Sequence, residues 1–201
     1  MDAGSALWNP EEIALSERIS PAQPPYDERT LRTFDRLPKD WGEPFLMFRL
    51  LARDSRLLER YINGAAAYID PSHITVRQRE VFLLRVTGLC RCAYEWNMRV
   101  HYFAAAAGLS DAQVRATAMN SASRDDWTDE DRLLLALAEE LHETSTISDA
   151  LWARLKPAFT DEAVIQLLMI AGHYRTTAYF ANGLRYPIEP GITDVFATIA
   201  A

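Results

Sequence analysis

The chain has few of the features that identify a secreted or membrane protein directly from its sequence. It has only two cysteines, Cys90 and Cys92, in 201 residues, which is too few for the disulfide framework of a small secreted protein. No stretch approaches the roughly 18 uninterrupted apolar residues of a membrane-spanning helix. The N-terminal residues place acidic side chains where a secretion signal needs basic ones. The sequence therefore predicts a cytoplasmic protein with no membrane partner.

Blocks of lysine and arginine are also missing. The formal net charge is −7, which would repel a phosphate backbone unless one face were locally basic. We therefore expect no nucleic-acid partner. Glycine-rich phosphate loops, a nucleophile-elbow serine and clustered Cys/His ligand motifs are lacking as well. The sequence thus predicts chemistry that uses neither a metal site nor a cofactor.

Proline is absent from the whole stretch between His73 and Lys156, so helices can run through it without a break. Caps that pair a hydroxyl with a glutamine three residues later stand at Thr75 and at Ser110, and they predict helix starts. Thr128, followed by three acidic residues, predicts another. No stretch shows the alternation typical of strands. The predicted fold is all-α, an antiparallel helical bundle.

The prolines of the first third of the chain indicate a different organisation there. Residues 1–40 are predicted to form a largely extended N-terminal arm, because they include several prolines that favour extended or turn conformations. Residues 41–190 are predicted to form the helical domain, and residues 191–201 a C-terminal tail. The arm also carries apolar side chains, so we expect it to pack on the body or on a neighbouring subunit.

The densest set of reactive side chains lies in the middle of the chain. At about 100° per residue, Cys92, Glu95, Trp96 and Arg99 share one face of a predicted helix. A thiol, a carboxylate and a guanidinium beside a tryptophan make a plausible pocket wall. The alternative is that Cys92 and Trp96 belong to the core while Glu95 and Arg99 form an ion pair four residues apart.

Two histidines and a tyrosine are further candidates. His101 faces away from the Glu95 side of its helix, where it either contacts a substrate or packs between helices as a hydrogen-bonded group. His173 and Tyr174 lie within a long apolar helix, and a buried histidine needs a hydrogen-bonding partner. His173 is therefore either a pocket residue or a satisfied core residue.

One set of motifs resembles a known superfamily. Arg77-x-x-Glu80 is followed by Cys92-x-Tyr-Glu-Trp and by an alanine-rich turn to Gly108-Leu-Ser. This pattern resembles the carboxymuconolactone decarboxylase and alkylhydroperoxidase D-like superfamily, in the branch with a Tyr-Glu-Trp signature. The resemblance covers roughly residues 40 to 190. It implies the alkylhydroperoxidase D-like helical fold, an enzyme, and a homo-oligomer that is a dimer, a trimer or a hexamer.

The chain departs from the peroxidases of that superfamily at two of four positions. There a glutamate precedes Cys-x-x-Cys and a histidine follows it. Glu80 matches the glutamate and Cys92 the first cysteine, but Glu95 replaces the second cysteine and Arg99 the histidine. A dithiol peroxidase needs a second thiol to resolve the oxidised first one. Cys90 is the other thiol of this chain.

The decarboxylases of the superfamily have Glu-x-x-x-His at this place, so here Glu95 is retained and arginine replaces the histidine. The resemblance implies a cofactor-independent, lyase-type enzyme for a small anionic, lactone or carbonyl substrate, with Glu95 as acid/base and Arg99 as anion or oxyanion binder. The residues expected to take part in catalysis are Glu95, Arg99, Glu80, Cys92 and His173, and those expected to contact the substrate are Trp96, Tyr174 and His101.

Two alternative functions stay open at this point. One is a peroxidase that uses Cys92 as its nucleophile and is resolved by Cys90 or by an external thiol. The other is a helical assembly protein that has kept the fold and lost the activity.

Overall fold

The computed structural model describes residues 18–70, 72–119 and 126–200, and the regular secondary structure of these ranges is helical. The prediction of an all-α fold is confirmed. No helix in these ranges combines the length and apolar character needed to cross a membrane. A short 3₁₀ turn spans Lys39–Trp41. The helices are α1 (Glu28–Phe34), α2 (Leu46–Leu51), α3 (Ser55–Ile69), α4 (Val76–Leu89), α5 (Ala93–Phe103), α6 (Asp111–Ala118), α7 (Asp129–Thr144), α8 (Asp149–Leu155), α9 (Asp161–Gly183) and α10 (Ala197–Ala200).

The predicted helix caps are present in the structure. The Thr75 hydroxyl accepts from the backbone N–H of Gln78, and the Gln78 side chain accepts from the backbone N–H of Thr75. Ser110 and Gln113 form the same reciprocal pair at the start of α6, and Thr128 caps α7. Because each cap satisfies backbone donors that the first helical turn leaves free, these residues fix where the helices begin.

Helix α4 is the central helix of the fold. It packs against α5, α6, α7 and α9, and every residue from Arg79 to Gly88 is buried. The main hydrophobic cluster joins α4 to α7 and α9 through side chains such as Phe82, Leu134 and Leu167. Because other helices pack on several sides of α4, side chains on all its faces are buried, and not only those of one apolar stripe. Charged side chains on this helix are therefore held inside the protein.

Helices α4 and α6 approach each other closely at Gly88. A β-carbon at this position would overlap the carbonyl oxygen of Thr117 and would lie 3.1 Å from the Cα of Ala118. Thr117 is itself buried, and its hydroxyl accepts a hydrogen bond from Trp96 Nε1 at 2.9 Å. The glycine therefore permits the contact that brings Thr117 to Trp96.

The N-terminal arm differs from the prediction. Residues 1–17 lie outside the described residues, but Glu28–Phe34 form α1, so the predicted extended conformation is wrong for that stretch. The carboxylate of Asp27 caps α1 by accepting from the Thr30 N–H at 2.7 Å, and this local cap supports a helix despite the preceding prolines. The backbone N–H of Ala22 donates to the Arg49 carbonyl at 2.9 Å. This part of the arm therefore lies on the helical body.

The residues predicted to form a C-terminal tail are docked on α5. Asn97 donates from Nδ2 to Asp194 Oδ1 at 2.8 Å, and its Oδ1 accepts from the backbone N–H groups of Val195 and Phe196 at 3.0 and 3.1 Å. The Phe196 ring packs edge-on against Trp96, with ring centroids 5.4 Å apart. One asparagine side chain thus holds the turn that leads into α10.

Candidate active site

Glu80 on α4 is the centre of a buried ionic cluster. Its side chain is completely inaccessible to solvent, with 0% exposure. Arg99 on α5 donates from Nε to Glu80 Oε2 at 2.9 Å and from Nη2 to Oε1. Arg79 donates from Nε to Glu80 Oε1 at 2.7 Å, and from Nη1 to the Ile69 carbonyl. Two guanidinium groups therefore face one carboxylate, in the charge-assisted and partly bidentate geometry that arginine favours.

Glu95 lies beside this cluster but does not share its hydrogen bonds. It is 8% exposed, and no donor in the described part of the chain is hydrogen-bonded to its carboxylate, because Arg99 binds Glu80 instead. Burial raises the pKa of Glu95 to about 7, although Arg99 lowers it, and the nearby Glu80 adds to the rise. The carboxyl is therefore near its midpoint of titration at neutral pH, which suits a group that both gives and takes protons.

Arg99 has one edge that is not used inside the protein. Its Nε and Nη2 hold Glu80, whereas Nη1 has no hydrogen-bond acceptor among the described residues. The guanidinium carbon lies 3.8 Å from the centroid of the Phe103 ring and 6.0 Å from that of Tyr174. Burial lowers the pKa of Arg99, but Tyr174 and the two glutamates more than offset this and hold it above its usual value. Arg99 therefore remains a fixed cation.

Two phenols from α9 and α3 border the same cluster. Burial raises the pKa of Tyr174, which Arg99 opposes and Glu95 increases. Burial also raises the pKa of Tyr61, with Glu95 the next contributor. The Tyr61 hydroxyl lies 2.5 Å from Thr177 Oγ1. Both tyrosines thus remain protonated, and they bring neutral hydroxyl donors to the neighbourhood of Glu95.

Cys92 is buried next to Glu95 as the N-cap residue of α5. Burial raises the pKa of its thiol to about 12, although a hydrogen bond from the Glu95 backbone N–H opposes this rise. A protonated thiol is a poor nucleophile. Cys90 caps the end of α4, and its Sγ lies 4.0 Å from His142 Nδ1. Both cysteines are free.

Trp96 and His101, which were predicted to contact a substrate, lie outside the ionic cluster. Trp96 is fully buried in a separate hydrophobic cluster with Leu84 and Phe196, and its indole N–H donates to Thr117. His101 is exposed near the end of α5. Its ring lies edge-on to Tyr102, with centroids 4.7 Å apart.

His173 borders the cluster from behind Tyr61. The two rings are tilted by 34° with centroids 4.5 Å apart, and Tyr68 lies on another side of the histidine. Its Nε2 is buried without a hydrogen-bond partner. Burial lowers the pKa of His173 to about 4. The imidazole is therefore neutral at neutral pH, and its proximity to Tyr61 is what connects it to the predicted site.

The sequence did not identify three residues in or beside the ionic cluster. These are Arg79, which binds Glu80, and Tyr61 and Thr177, which contact each other. Arg79 stood next to a predicted site residue, and a second arginine beside a buried glutamate was a usable signal. Tyr61 and Thr177 come from α3 and α9, far away in sequence, and nothing local marks either of them. In the described ranges, no group of three or more potential metal ligands was found, and the Glu80 carboxylate is already bound by arginines.

Comparison with known proteins bears on the fold and on the family. Residues 55–140 match the model of the carboxymuconolactone decarboxylase family, a range that includes α3, α4 and α5. No curated protein matches the chain. A crystal structure of an uncharacterized peroxidase-related protein from Silicibacter sp. TM1040 is similar, with a TM-score of 0.72 and 15% sequence identity, over 89% of this chain and 96% of that one. At this identity the similarity shows a shared fold.

Proposed function

We propose a function from the match of residues 55–140 to the model of the carboxymuconolactone decarboxylase family, which agrees with the resemblance seen in the motifs. The protein is an enzyme that transfers protons to and from a small anionic substrate bearing a lactone or another carbonyl group. The observation that carries this proposal is the Glu95 carboxyl, which is buried beside Arg99 with no hydrogen-bond partner of its own in the described chain and has a pKa of about 7.

The chemistry follows from the positions of the charges. Loss of CO₂ from a carboxylated lactone leaves an electron pair that delocalises as a dienolate. Arg99 supplies a fixed positive charge for the developing oxyanion, and protonated Glu95 delivers its proton to carbon. The carboxylate of Glu95 then regains a proton from water. The net reaction consumes one proton and releases one CO₂.

Glu80 has a supporting role in this proposal. An isolated arginine on a flexible side chain would sample many positions, but the bidentate contact with Glu80 fixes the Arg99 guanidinium plane. Phe103 covers one face of that plane. The cation is therefore oriented before a substrate binds, which lowers the reorganisation needed in the transition state.

The packing of the cluster shields it from water. Glu95 and Arg99 keep only 8% and 5% of their accessible surface, so a substrate bound beside them is largely shielded from water as well. Exclusion of water then strengthens the electrostatic effect of the arginine on the bound substrate.

Two substitutions test the proposal. The purified protein is assayed for CO₂ release on a panel of carboxylated lactones and β-keto acids. We expect Glu95→Gln to reduce turnover by about 10²-fold to 10⁴-fold, because the amide cannot transfer a proton. Cys92→Ser should retain most of the activity. The matched control is Glu43→Gln, at an exposed position away from the helices.

The opposite pattern would support the thiol peroxidase. In that case Cys92→Ser abolishes turnover, peroxide is consumed, and Glu95→Gln remains active. This alternative has less support, because the raised pKa of Cys92 keeps the thiol protonated and because Glu95 stands where a second cysteine would be needed. Retention of full turnover by Glu95→Gln, or no turnover of the panel by the unmodified protein, contradicts the decarboxylase-like proposal.

A further inference from the structure

The charges of the cluster do not balance when Glu95 is protonated. Arg79 and Arg99 each carry a positive charge, and Glu80 between them carries a single negative one. One positive charge is therefore left over inside the protein. An ionised Glu95 cancels it, and a protonated Glu95 leaves it uncompensated. Uncompensated charge is unfavourable at a buried site. Protonation of Glu95 therefore makes the binding of an anion at this site more favourable.

Three polar groups at the same place are without internal hydrogen-bond partners in the described ranges: the Glu95 carboxylate, Arg99 Nη1 and the Tyr174 hydroxyl. The side-chain atoms that are both fully buried and unpartnered lie elsewhere among the described residues, at Arg49, Gln166 and His173, so the free atoms of these three groups keep some solvent access. Arg99 lies near both of the other groups. Its guanidinium carbon is 6.0 Å from the centroid of the Tyr174 ring, and it follows Glu95 by four residues, about one helical turn, on α5. Unused donors beside a surplus cation are what a carboxylate ligand requires.

The groups that face Glu95 come from four helices. From its own helix it meets Arg99 and Tyr94, and Cys92 at the N-cap; from α4 it meets Glu80, from α9 Tyr174 and from α3 Tyr61. Arg79 is the second ion-pair partner of Glu80, and Glu189 accepts a hydrogen bond from Tyr94. Burial raises the pKa of the thiol and of the phenols, and the pKa of Arg99 is held above its usual value, so these groups keep one charge state near pH 7. Glu95 is the group of this set whose pKa lies near 7.

We propose that the site binds a small, ring-bearing organic monoanion together with one proton, the anion accepting hydrogen bonds from Arg99 and Tyr174 while Glu95 becomes protonated. This inference rests on the proposed function and deepens it. It defines the charge of the ligand, and it explains how Glu95 becomes protonated when the ligand binds. Binding of the anion favours the protonated acid, and protonation of Glu95 favours the anion, since the linkage between two ligands is reciprocal.

A ring-bearing ligand is inferred from the side chains around the cation. Phe103 lies against the guanidinium of Arg99, 3.8 Å from ring centroid to guanidinium carbon, and the centroid of the Tyr174 ring lies 6.0 Å from the same carbon. Aromatic faces bury apolar surface and stack on a planar ligand. Benzoate therefore serves as the probe, and benzamide as its neutral counterpart of nearly the same shape.

Isothermal titration calorimetry measures the linked proton directly, because the observed heat depends on the ionisation enthalpy of the buffer. With unmodified protein and benzoate in HEPES and in Tris, we expect uptake of about 0.9 proton per anion at about pH 8, and about 0.1 at about pH 6. Above pH 7 the Kd should weaken by up to about tenfold per pH unit. Benzamide should show no proton uptake.

The variants separate this linkage from other sources of pH dependence. Glu95→Gln should bind benzoate with a Kd that is independent of pH and with no proton uptake, whereas Glu43→Gln should behave like the unmodified protein. Arg99→Met should lose benzoate binding while circular dichroism checks that the helices remain. The proposal is overturned by absent benzoate binding, by uptake below about 0.2 proton at about pH 8, or by proton uptake that persists in Glu95→Gln.

Its failure can be told apart from failure of the proposed function. If Glu95→Gln abolishes turnover while benzoate binds to the unmodified protein without a proton, the acid/base function stands and the proton linkage is wrong. If benzoate brings a proton but Glu95→Gln still turns over the substrate panel, the linkage stands and Glu95 is not the acid of the reaction.

Discussion

Glu95 makes the stability of the protein depend on pH. The pKa of this carboxyl is about 7 in the folded protein against an ordinary value of 4.5, so the folded state holds the proton more tightly than the unfolded chain. The contribution of the protonated form to folding is therefore present below about pH 4.5, and it is lost as the pH rises through about 7.

We expect Glu95→Gln to remove this dependence. The free energy of unfolding of the unmodified protein should fall between about pH 5 and about pH 8 by up to about 3 kcal/mol more than that of the variant. Urea denaturation at the two pH values measures the difference, with Glu43→Gln as the control. If the free energy of unfolding changes equally with pH in the unmodified protein and in Glu95→Gln, ionisation of Glu95 does not destabilise the folded protein.

At the scale of single residues, sequence reasoning identified the members of the cluster better than their partners. Of the predicted site residues, Glu80 and Arg99 form an ion pair, and the Tyr174 ring lies 6.0 Å from the Arg99 guanidinium carbon. The helical wheel also placed Arg99 beside Glu95, and a local ion pair was one expectation. The arginine instead binds Glu80 on another helix, with two hydrogen bonds to one carboxylate.

Helix starts were the elements that could be predicted most reliably, because a cap is a short-range interaction that the sequence displays. Thr75 and Ser110 each accept the predicted hydrogen bond. The same logic would have found α1, since Asp27 precedes Glu28 and Arg29 as a cap precedes a helix, but the prolines before it suggested an extended arm. The docked C-terminal turn had no such local signal. It depends on a side chain that is nearly a hundred positions away.

That turn gives a prediction for one element. Asn97→Ala removes three hydrogen bonds between α5 and the turn, one each with Asp194, Val195 and Phe196. We expect the C-terminal segment to detach and to be cleaved by carboxypeptidase at least about tenfold faster, while the free energy of unfolding drops by about 1 to 3 kcal/mol. Asn182→Ala, which removes a single bond to the Cys90 carbonyl, is the control. Equal cleavage rates in the two variants would contradict this function of Asn97.

For the whole molecule, Glu80 connects the central helix to the helix that carries Glu95. The site draws on α3, α4, α5 and α9, so it exists only when these helices are assembled, and no local pattern could have predicted Tyr61 or Thr177 as members. Glu80 binds two arginines inside the core. Loss of its charge would leave Arg79 and Arg99 as buried ions without a partner, so the packing of these helices depends on that one carboxylate.

Glu80→Gln tests this dependence. The amide keeps the shape of the side chain but leaves Arg79 and Arg99 without their shared carboxylate, so we expect a loss of about 3 to 5 kcal/mol in the free energy of unfolding. Adding Arg99→Met removes one of the two uncompensated charges and should recover part of the loss. Thermal and urea unfolding measure both variants. A change below about 0.5 kcal/mol in Glu80→Gln, the range of ordinary surface substitutions, would show that the ion cluster does not stabilise the assembly.

The close approach of α4 and α6 at Gly88 has a consequence for reading related sequences. Any side chain at this position would meet the carbonyl of Thr117 and would push α6 outward, and the hydrogen bond from Trp96 would be lost with it. A sequence that aligns with this one but has a larger residue at position 88 must therefore arrange α6 differently. The residue at position 88 of such a sequence therefore indicates, without a structure, whether the contact between Thr117 on α6 and Trp96 on α5 is kept.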